Sequence, residues 1–409
     1  MKNVWIINHY APHPLKSGKV ALHLQLAREM RKVGWEVQIV LASTRHPEGS
    51  QTLSDGVSTE LVEWNKTETL FVRARSYHNG GLGRAINMAE FGSRLFFRQT
   101  MSKLARPDLI VGRITNPLAA IAARRWSQRL NVPFVLEISD IWPDTFVQLG
   151  AWSENGLKSR LLRQVERKLI RSASAVMSPL PGVGRYLYER GFDRTPFYWV
   201  PNGGDPSTLV STDESSHMRD PGFRFMYMGS LGHANAVDTI INAFDVYTRD
   251  NNDSTAMLEI VGTGPLRDQL QKYAASLTSE EQIQFTGRVP NSELPKHLAK
   301  ADVLVANMRD LPLYNYGIAL NKLFDYLLSA KPIIFASNAI NNVIDEAEAG
   351  ITVRADDEIA LAEAMKEMTL TKPDVRREWG KRGRRFVLET YTYAHAAKRF
   401  NIMLNDLTN

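Results

Sequence analysis

Lys322 and Asp325 stand three residues apart in the run Asn321-Lys322-Leu323-Phe324-Asp325-Tyr326, which reads as the start of a helix leading to the strand Ile333-Ile334-Phe335. A lysine there supplies a point positive charge, and the amides of Ile318, Ala319 and Leu320 just before it can cap the same ligand, as at any helix N-terminus. A multi-oxygen anion suits this pattern. The carboxylate of Asp325 can accept two hydroxyl hydrogens at once. The plainer reading is a solvated lysine on an ordinary helix.

Two glycine turns point to the same chemistry. Gly229-Ser230-Leu231-Gly232 and Gly262-Thr263-Gly264-Pro265-Leu266 each follow a strand and precede a helix, where a bare backbone can approach a diphosphate. Neither has the G-x-G-x-x-G spacing, and neither is a P-loop, so ordinary turns that need glycine remain open. Arg288, in Phe285-Thr286-Gly287-Arg288-Val289-Pro290, adds a cation near the next strand end. In the first half, Asp140 follows the strand Phe134 to Ile138, where a carboxylate orients or deprotonates a hydroxyl, or caps the following turn. Ser17-Gly18-Lys19 offers close backbone approach at Gly18 and charge at Lys19.

The elements that must position these groups alternate between strand and helix. Val4 to Asn8, a helix over Val20 to Val33 stopped by Gly34, and Glu36 to Ala42 form one βαβ unit. Leu109 to Gly112, a helix near Leu118 to Leu130, Phe134 to Ile138 and Ala175 to Ser178 continue it. Val200 to Gly222 becomes loop-like, marking a domain boundary. A second series follows, with strands at Phe223 to Met228, Ala256 to Val261, Ile283 to Thr286, Val303 to Ala306 and Pro332 to Phe335. The fold class is α/β with two Rossmann-like doubly wound domains, residues 1–203 and 204–381, facing across a cleft. A final helix, Arg382 to Leu407, completes the chain.

Composition narrows the function classes. At 409 residues the chain is long enough for two cores, and its 44% apolar and 23% charged content is that of an ordinary globular protein. The absence of cysteine excludes disulfides, thiolate zinc sites and cysteine nucleophiles. No stretch of about 18 apolar residues and no signal-peptide pattern is present, predicting a cytoplasmic protein. The net charge of +6 is uneven: residues 1–203 hold 28 Lys and Arg against 16 Asp and Glu, a net +12. That half suits an anionic partner. Arg160, Arg163, Arg167 and Arg171 recur at helical spacing, with Leu161, Leu162, Val165 and Leu169 on another side, so the helix either docks on an anionic inner-membrane surface or is a solvated basic face over a core stripe. No nucleic-acid-binding module appears. Without H-E-x-x-H or D-x-D, no metal and no cofactor are expected.

The segment Gly317 to Pro332 resembles the donor-binding segment of the family 4 retaining glycosyltransferases of GT-B fold, whose common form has two acids separated by seven residues. Asp325 matches the second acid, which the resemblance implies bonds the donor ribose; Gly317 stands where the first acid would be. One branch of that family, active in bacterial O-antigen, capsule and colanic-acid synthesis, carries a run similar to Asn321 to Tyr326 and another similar to Asp140-Ile141-Trp142-Pro143-Asp144. Many relatives have Arg and Lys where this chain has Ser230 and Asn235, so Lys322 and Arg288 must neutralise more of the diphosphate charge. Some relatives place a histidine after the strand that precedes Arg113 to Asn116; none is present there, and no catalytic histidine is assigned.

The resemblance implies catalysis by Lys322 and Asp140 and retention of anomeric configuration. It implies a UDP-sugar donor held by the second domain, with Gly18 and Lys19 of the first domain's glycine-rich loop close to the transferred sugar. An N-acetylated 6-deoxyhexosamine is the sugar it suggests, and a polyprenyl-diphosphate-linked or saccharide acceptor is expected. The last helix is expected to return to the first domain. The rival readings are a GT-B-type UDP-sugar 2-epimerase and a non-catalytic sugar-nucleotide-binding protein, the latter motivated by Gly317, Ser230 and Asn235.

Overall fold

The computed structural model describes residues 1–10, 22–46, 48–78, 81–208, 222–252, 254–290 and 292–409. The chain divides into two units, Met1–Asn202 with Tyr393–Asn409, and Gly203–Thr392. Both are α/β with largely parallel sheets.

Among the described residues, the first unit builds one sheet from β1 (Lys2–Ile7), β2 (Trp35–Ala42), β3 (Thr59–Trp64), β4 (Thr67–Val72), β5 (Leu109–Arg113), β6 (Phe134–Glu137), β7 (Ala175–Ser178) and β8 (Phe197–Trp199). Their order is β3-β4-β2-β1-β5-β6-β7-β8, parallel except for the antiparallel β3–β4 hairpin. The sequence reading lacks that hairpin. Its two-residue turn, Asn65-Lys66, places both residues at positive φ, as the right-handed twist of a tight hairpin requires, but neither residue is the glycine that advertises such a turn.

The helices used below are α1 (Leu22–Arg31), α2 (Gly81–Arg94), α3 (Pro117–Leu130), α4 (Leu157–Ser172), α5 (Val237–Asn251), α6 (Asn321–Leu328), α7 (Pro373–Thr390) and α8 (Tyr393–Thr408). Helix α3 shows the local rules plainly: the side chain of Asn116 caps the amide of Ala119, Pro117 occupies the first turn, and Asn131 ends the helix at positive φ. The buried core of the first unit joins Ile6, Ile39, Val111 and Val135 of the sheet to Leu24, Leu26 and Met30 of α1. Phe400, Met403 and Leu404 of α8 enter the same core. Arg382, where the sequence reading starts the returning helix, lies inside α7 of the second unit; the segment that packs on the first unit begins at Tyr393.

The second unit's sheet is parallel throughout, in the order β11-β10-β9-β12-β13-β14, from β9 (Arg224–Met228), β10 (Met257–Val261), β11 (Ile283–Gly287), β12 (Val303–Asn307), β13 (Ile333–Ala336) and β14 (Gly350–Val353). Strand order reverses between the neighbours β9 and β12, and between β1 and β5 in the first unit. In doubly wound sheets the carboxyl ends at such a reversal are where ligands bind. No helix among the described residues is long and apolar enough to cross a membrane.

Candidate active site

Lys322 lies in the first turn of α6 and reaches back to the carboxyl end of β9. Its Nζ donates to Tyr227 Oη at 3.2 Å and to Asn235 Oδ1 at 2.6 Å, and sits 4.6 Å from the centre of the Tyr227 ring. Among the described residues no carboxylate pairs with it. Burial without a counter-charge pushes its pKa down to about 7. Tyr326, one turn along α6, locks the helix to the same strand end: its hydroxyl accepts from the Met228 amide at 2.6 Å and donates to the Met228 carbonyl at 3.0 Å.

Gly229 has a steric reason to lack a side chain, because a Cβ there would meet Tyr227 Oη at 2.9 Å and Lys322 Cδ at 3.3 Å. The other glycines serve packing of backbone on backbone. A Cβ on Gly262, at φ +144, would meet the Gly229 carbonyl oxygen at 1.9 Å, and one on Gly264 would meet that of Leu231 at 2.4 Å. The amides of Gly229, Leu231 and Gly262 are spent on the carbonyls of Val261, Thr263 and Gly287. So these turns interlock with each other, and the named amides have backbone partners in place of a phosphate. A short 3-10 turn, His233–Asn235, intervenes before α5 begins.

The loop before α6 is also built from within. Gly317 adopts φ +106 with ψ 171, a backbone that a glutamate could not take without strain, which accounts for glycine where the related pattern has an acid. Asn341 clamps the next residue, accepting from the Ile318 amide and donating to the Ile318 carbonyl, both at 2.8 Å. Ile318 is therefore removed from the amides expected to cap an anion. Leu320 ends the loop with no side-chain cap on α6, so the first-turn amides at Asn321 and Lys322 have no side-chain acceptor there. Leu323 is buried core, whereas Asp325 and Arg288 are exposed. Gly18 and Lys19 lie outside the described residues.

In the first unit, Asp140 follows β6 and takes the Thr145 hydroxyl on Oδ1 at 2.7 Å. Burial pushes its carboxyl up. The bond to Thr145 ties Asp140 to the turn that follows β6. Asp144, the last residue of the same run, is held by Arg163 on Oδ1 and Arg190 on Oδ2, so that acid anchors the loop. Arg163 consequently leaves the expected basic stripe. Arg160, Arg167 and Arg171 are exposed, Leu169 is buried, and Leu161, expected on the core side, is 57% exposed.

The sequence reading overlooked a buried polar cluster at the carboxyl end of this sheet. His9, just after β1, contacts Asn87 Oδ1 of α2 at 2.9 Å through Nε2 and Asn116 Nδ2 at 3.0 Å through Nδ1; burial pushes its pKa down to about 3. A histidine thus sits beside the Arg113 to Asn116 loop, supplied by a different strand. Arg84 donates to Tyr10 Oη at 2.8 Å. His23 of α1 and Glu137 of β6 form a second buried pair, with Arg113 Nε 3.6 Å from Glu137. The signal was Asn8-His9-Tyr10, polar residues directly after the first buried strand.

Two family profiles match the chain. One, described as a glycosyl transferase 4-like domain, matches residues 20–203, and the other, described as glycosyl transferases group 1, matches residues 222–370. The chain is a glycosyltransferase of the GT-B fold. It is 22% identical over 328 residues to the probable glycosyltransferase WbjE of Pseudomonas aeruginosa, covering 77% of this chain and 79% of that protein. It is 26% identical over 170 residues to a GDP-mannose-dependent alpha-(1-6)-phosphatidylinositol monomannoside mannosyltransferase of Mycolicibacterium smegmatis, covering 41% and 44% of the two. Among solved structures, sucrose-phosphate synthase from Thermosynechococcus elongatus superposes with TM-score 0.75 at 15% identity, covering 100% of this chain and 99% of that one. Anabaena HepE in complex with UDP and glucose gives 0.67 at 15% identity, with 99% of each chain covered. At this identity the structures speak for the fold.

In this glycosyltransferase the second unit brings together Tyr227, Gly229, Ser230, Asn235 and Lys322, at the strand end beside the order reversal. Asn235 and Ser230, which the sequence reading treats as lost cations, are here the surroundings of the remaining one: Asn235 accepts from Lys322, and the Ser230 carbonyl accepts from both Tyr227 and Asn235.

Proposed function

We propose that this glycosyltransferase transfers a sugar, with retention, from a UDP-sugar to a lipid-linked or saccharide acceptor in bacterial surface-polysaccharide assembly. The carrying observation is the Lys322 side chain, which stands in the first turn of α6 with two neutral oxygens and, among the described residues, no carboxylate against it. A departing diphosphate develops negative charge, and a lysine held in place beside uncapped helix amides stabilises that charge in its protonated form. Asp325 bonds the donor ribose, and Arg288 adds positive charge at the base end. In the first unit, Asp140 orients the acceptor hydroxyl.

Support for UDP comes from the solved structure of HepE, described as a complex with UDP and glucose. Support for the polysaccharide role comes from the resemblance of Asn321 to Tyr326 and Asp140 to Asp144 to the O-antigen and capsule branch, which also points to an N-acetylated 6-deoxyhexosamine as the sugar. The enzyme works against the anionic inner face of the membrane through α4, where Leu157 (84% exposed) and Leu161 stand among the exposed Lys158, Arg160, Arg167 and Lys168.

The test is a thermal-shift panel of UDP-, GDP- and dTDP-sugars on the wild type and on Lys322→Met. A ligand at 100 times its Kd adds about 2.7 kcal/mol of stability. The expected outcome is a shift with UDP-sugars that the substitution removes; a shift with GDP-sugars alone overturns the donor, and an unchanged shift in Lys322→Met overturns the site.

A further inference from the structure

An ammonium has three N–H donors, and at Lys322 two of them are taken by oxygens whose polarity is fixed in advance. Tyr227 spends its only proton on the Ser230 carbonyl, at 2.7 Å, so toward Lys322 its oxygen can only accept. Asn235 likewise gives its Nδ2 to the Ser230 carbonyl at 3.0 Å, which turns its Oδ1 toward Lys322 at 2.6 Å. One carbonyl therefore orients both acceptors, and both are uncharged.

We propose that Asn235 is a positioning residue for Lys322, and that its neutrality leaves the lysine's charge to be balanced by a bound nucleoside diphosphate, so that binding brings a proton from solvent onto the amine. The proposal rests on the donor-site reading above. A carboxylate at position 235 would make a permanent ion pair and compete with the ligand; a neutral amide fixes the direction of the N–H bonds without neutralising them. Burial agrees, since it pushes Lys322 down to about 7 and leaves most of the amine unprotonated at pH 8.

Other titratable groups around this lysine do not supply the missing charge. Tyr227 and Tyr326 are pushed up by burial and stay neutral. On α6 itself Asp325 is exposed, and burial is the one cause of the lowered pKa at Lys322. Beyond the His233–Asn235 turn, Asp238 and Asp356 are paired with Arg309. From the packed elements, Arg384 of α7 donates to the Leu328 carbonyl, and Asp345 accepts from Asn342.

The experiment is titration calorimetry of UDP at pH 8.0 and 6.0 in buffers of low and high ionisation enthalpy, which reads the protons taken up per UDP bound. The wild type is expected to take up close to one proton at pH 8.0 and few at pH 6.0. Asn235→Asp should take up almost none at pH 8.0 and bind UDP at least tenfold more weakly. Asn235→Ala should weaken binding several-fold yet keep the proton uptake, which a merely structural role would not separate. No uptake by the wild type at pH 8.0 overturns the proposal, as does an Asn235→Asp variant with unaltered uptake and affinity. If the wild type does not bind UDP, or Lys322→Met binds it equally well, the donor-site reading falls and this proposal with it.

Discussion

The Nε2 of His23 lies 2.9 Å from a carboxylate oxygen of Glu137, with each side chain only 1% exposed. The pair ties the start of α1 to the end of β6, and Asn8, after β1, touches the other nitrogen of the same ring at 3.2 Å. Removing one partner leaves the other buried without its bond. His23→Ala should therefore cost roughly 3 kcal/mol in urea unfolding. A loss below about 1 kcal/mol would show the pair to be dispensable.

Acid should reveal the same pair. Burial alone would raise the Glu137 carboxyl, but His23 and Arg113 outweigh it and hold the group at about 2. The unfolded chain protonates this residue near the ordinary glutamate value of about 4.3, so its contribution is complete above that pH and is lost as pH falls toward 2. Glu137→Gln should flatten the acid limb of the stability profile between those values, as followed by circular dichroism.

Lys322 carries the opposite sign. Its folded pKa is depressed, so burial of the charged form penalises the fold fully below pH 7, and the penalty fades as pH rises toward the free lysine value. Lys322→Met should be more stable than the wild type at pH 6, by on the order of 3 kcal/mol, with the gain shrinking by pH 9. Thermal unfolding of both proteins across that range checks it, and a variant that is less stable at pH 6 would contradict it.

Two glycine substitutions should separate function from folding. Gly262→Ala drives a Cβ into a backbone carbonyl at a positive φ and should prevent stable folding or cost several kcal/mol, on the order of 4. Gly229→Ala meets Tyr227 and Lys322 instead, so its smaller stability loss should come with weaker UDP binding. Melting temperature and UDP affinity measured together distinguish the two.

Helix α4 allows a similar separation. Reversing the exposed charges in Arg160→Glu with Arg167→Glu should reduce binding to vesicles rich in anionic lipid by tenfold or more while leaving the melting temperature nearly unchanged. Arg163→Ala should instead lower the melting temperature, because Arg163 holds Asp144. Equal vesicle binding by the charge-reversed protein would argue against this face.

The strand and helix alternation was legible because parallel strands buried on both faces read as apolar runs, as in Val37 to Leu41 and Val303 to Ala306. Strands β3, β8 and β14 were not: β8 and β14 are half-buried, and β3 alternates too weakly to stand out. At the site, Lys322 was visible from its run, but its partners were not. Asn235 is 87 positions away and Tyr227 95, and nothing in either residue's neighbourhood advertises a lysine above it. The same holds for His23 and Glu137, 114 positions apart. Long-range polar pairing leaves no periodic trace, and loops read as ligand-facing proved partly to be satisfied from within, as Ile318 is by Asn341.

The helix that supplies Phe400, Met403 and Leu404 to the first core also sets an order of events during synthesis. The first unit leaves the ribosome short of part of its interior and must wait, with apolar surface uncovered, while the whole of Gly203–Thr392 is made. The second unit is a guest inserted near the end of its host, and it can be complete before the host is. A messenger cut short anywhere in the second unit would yield an unfinished first domain and an aggregation hazard in place of a smaller working enzyme.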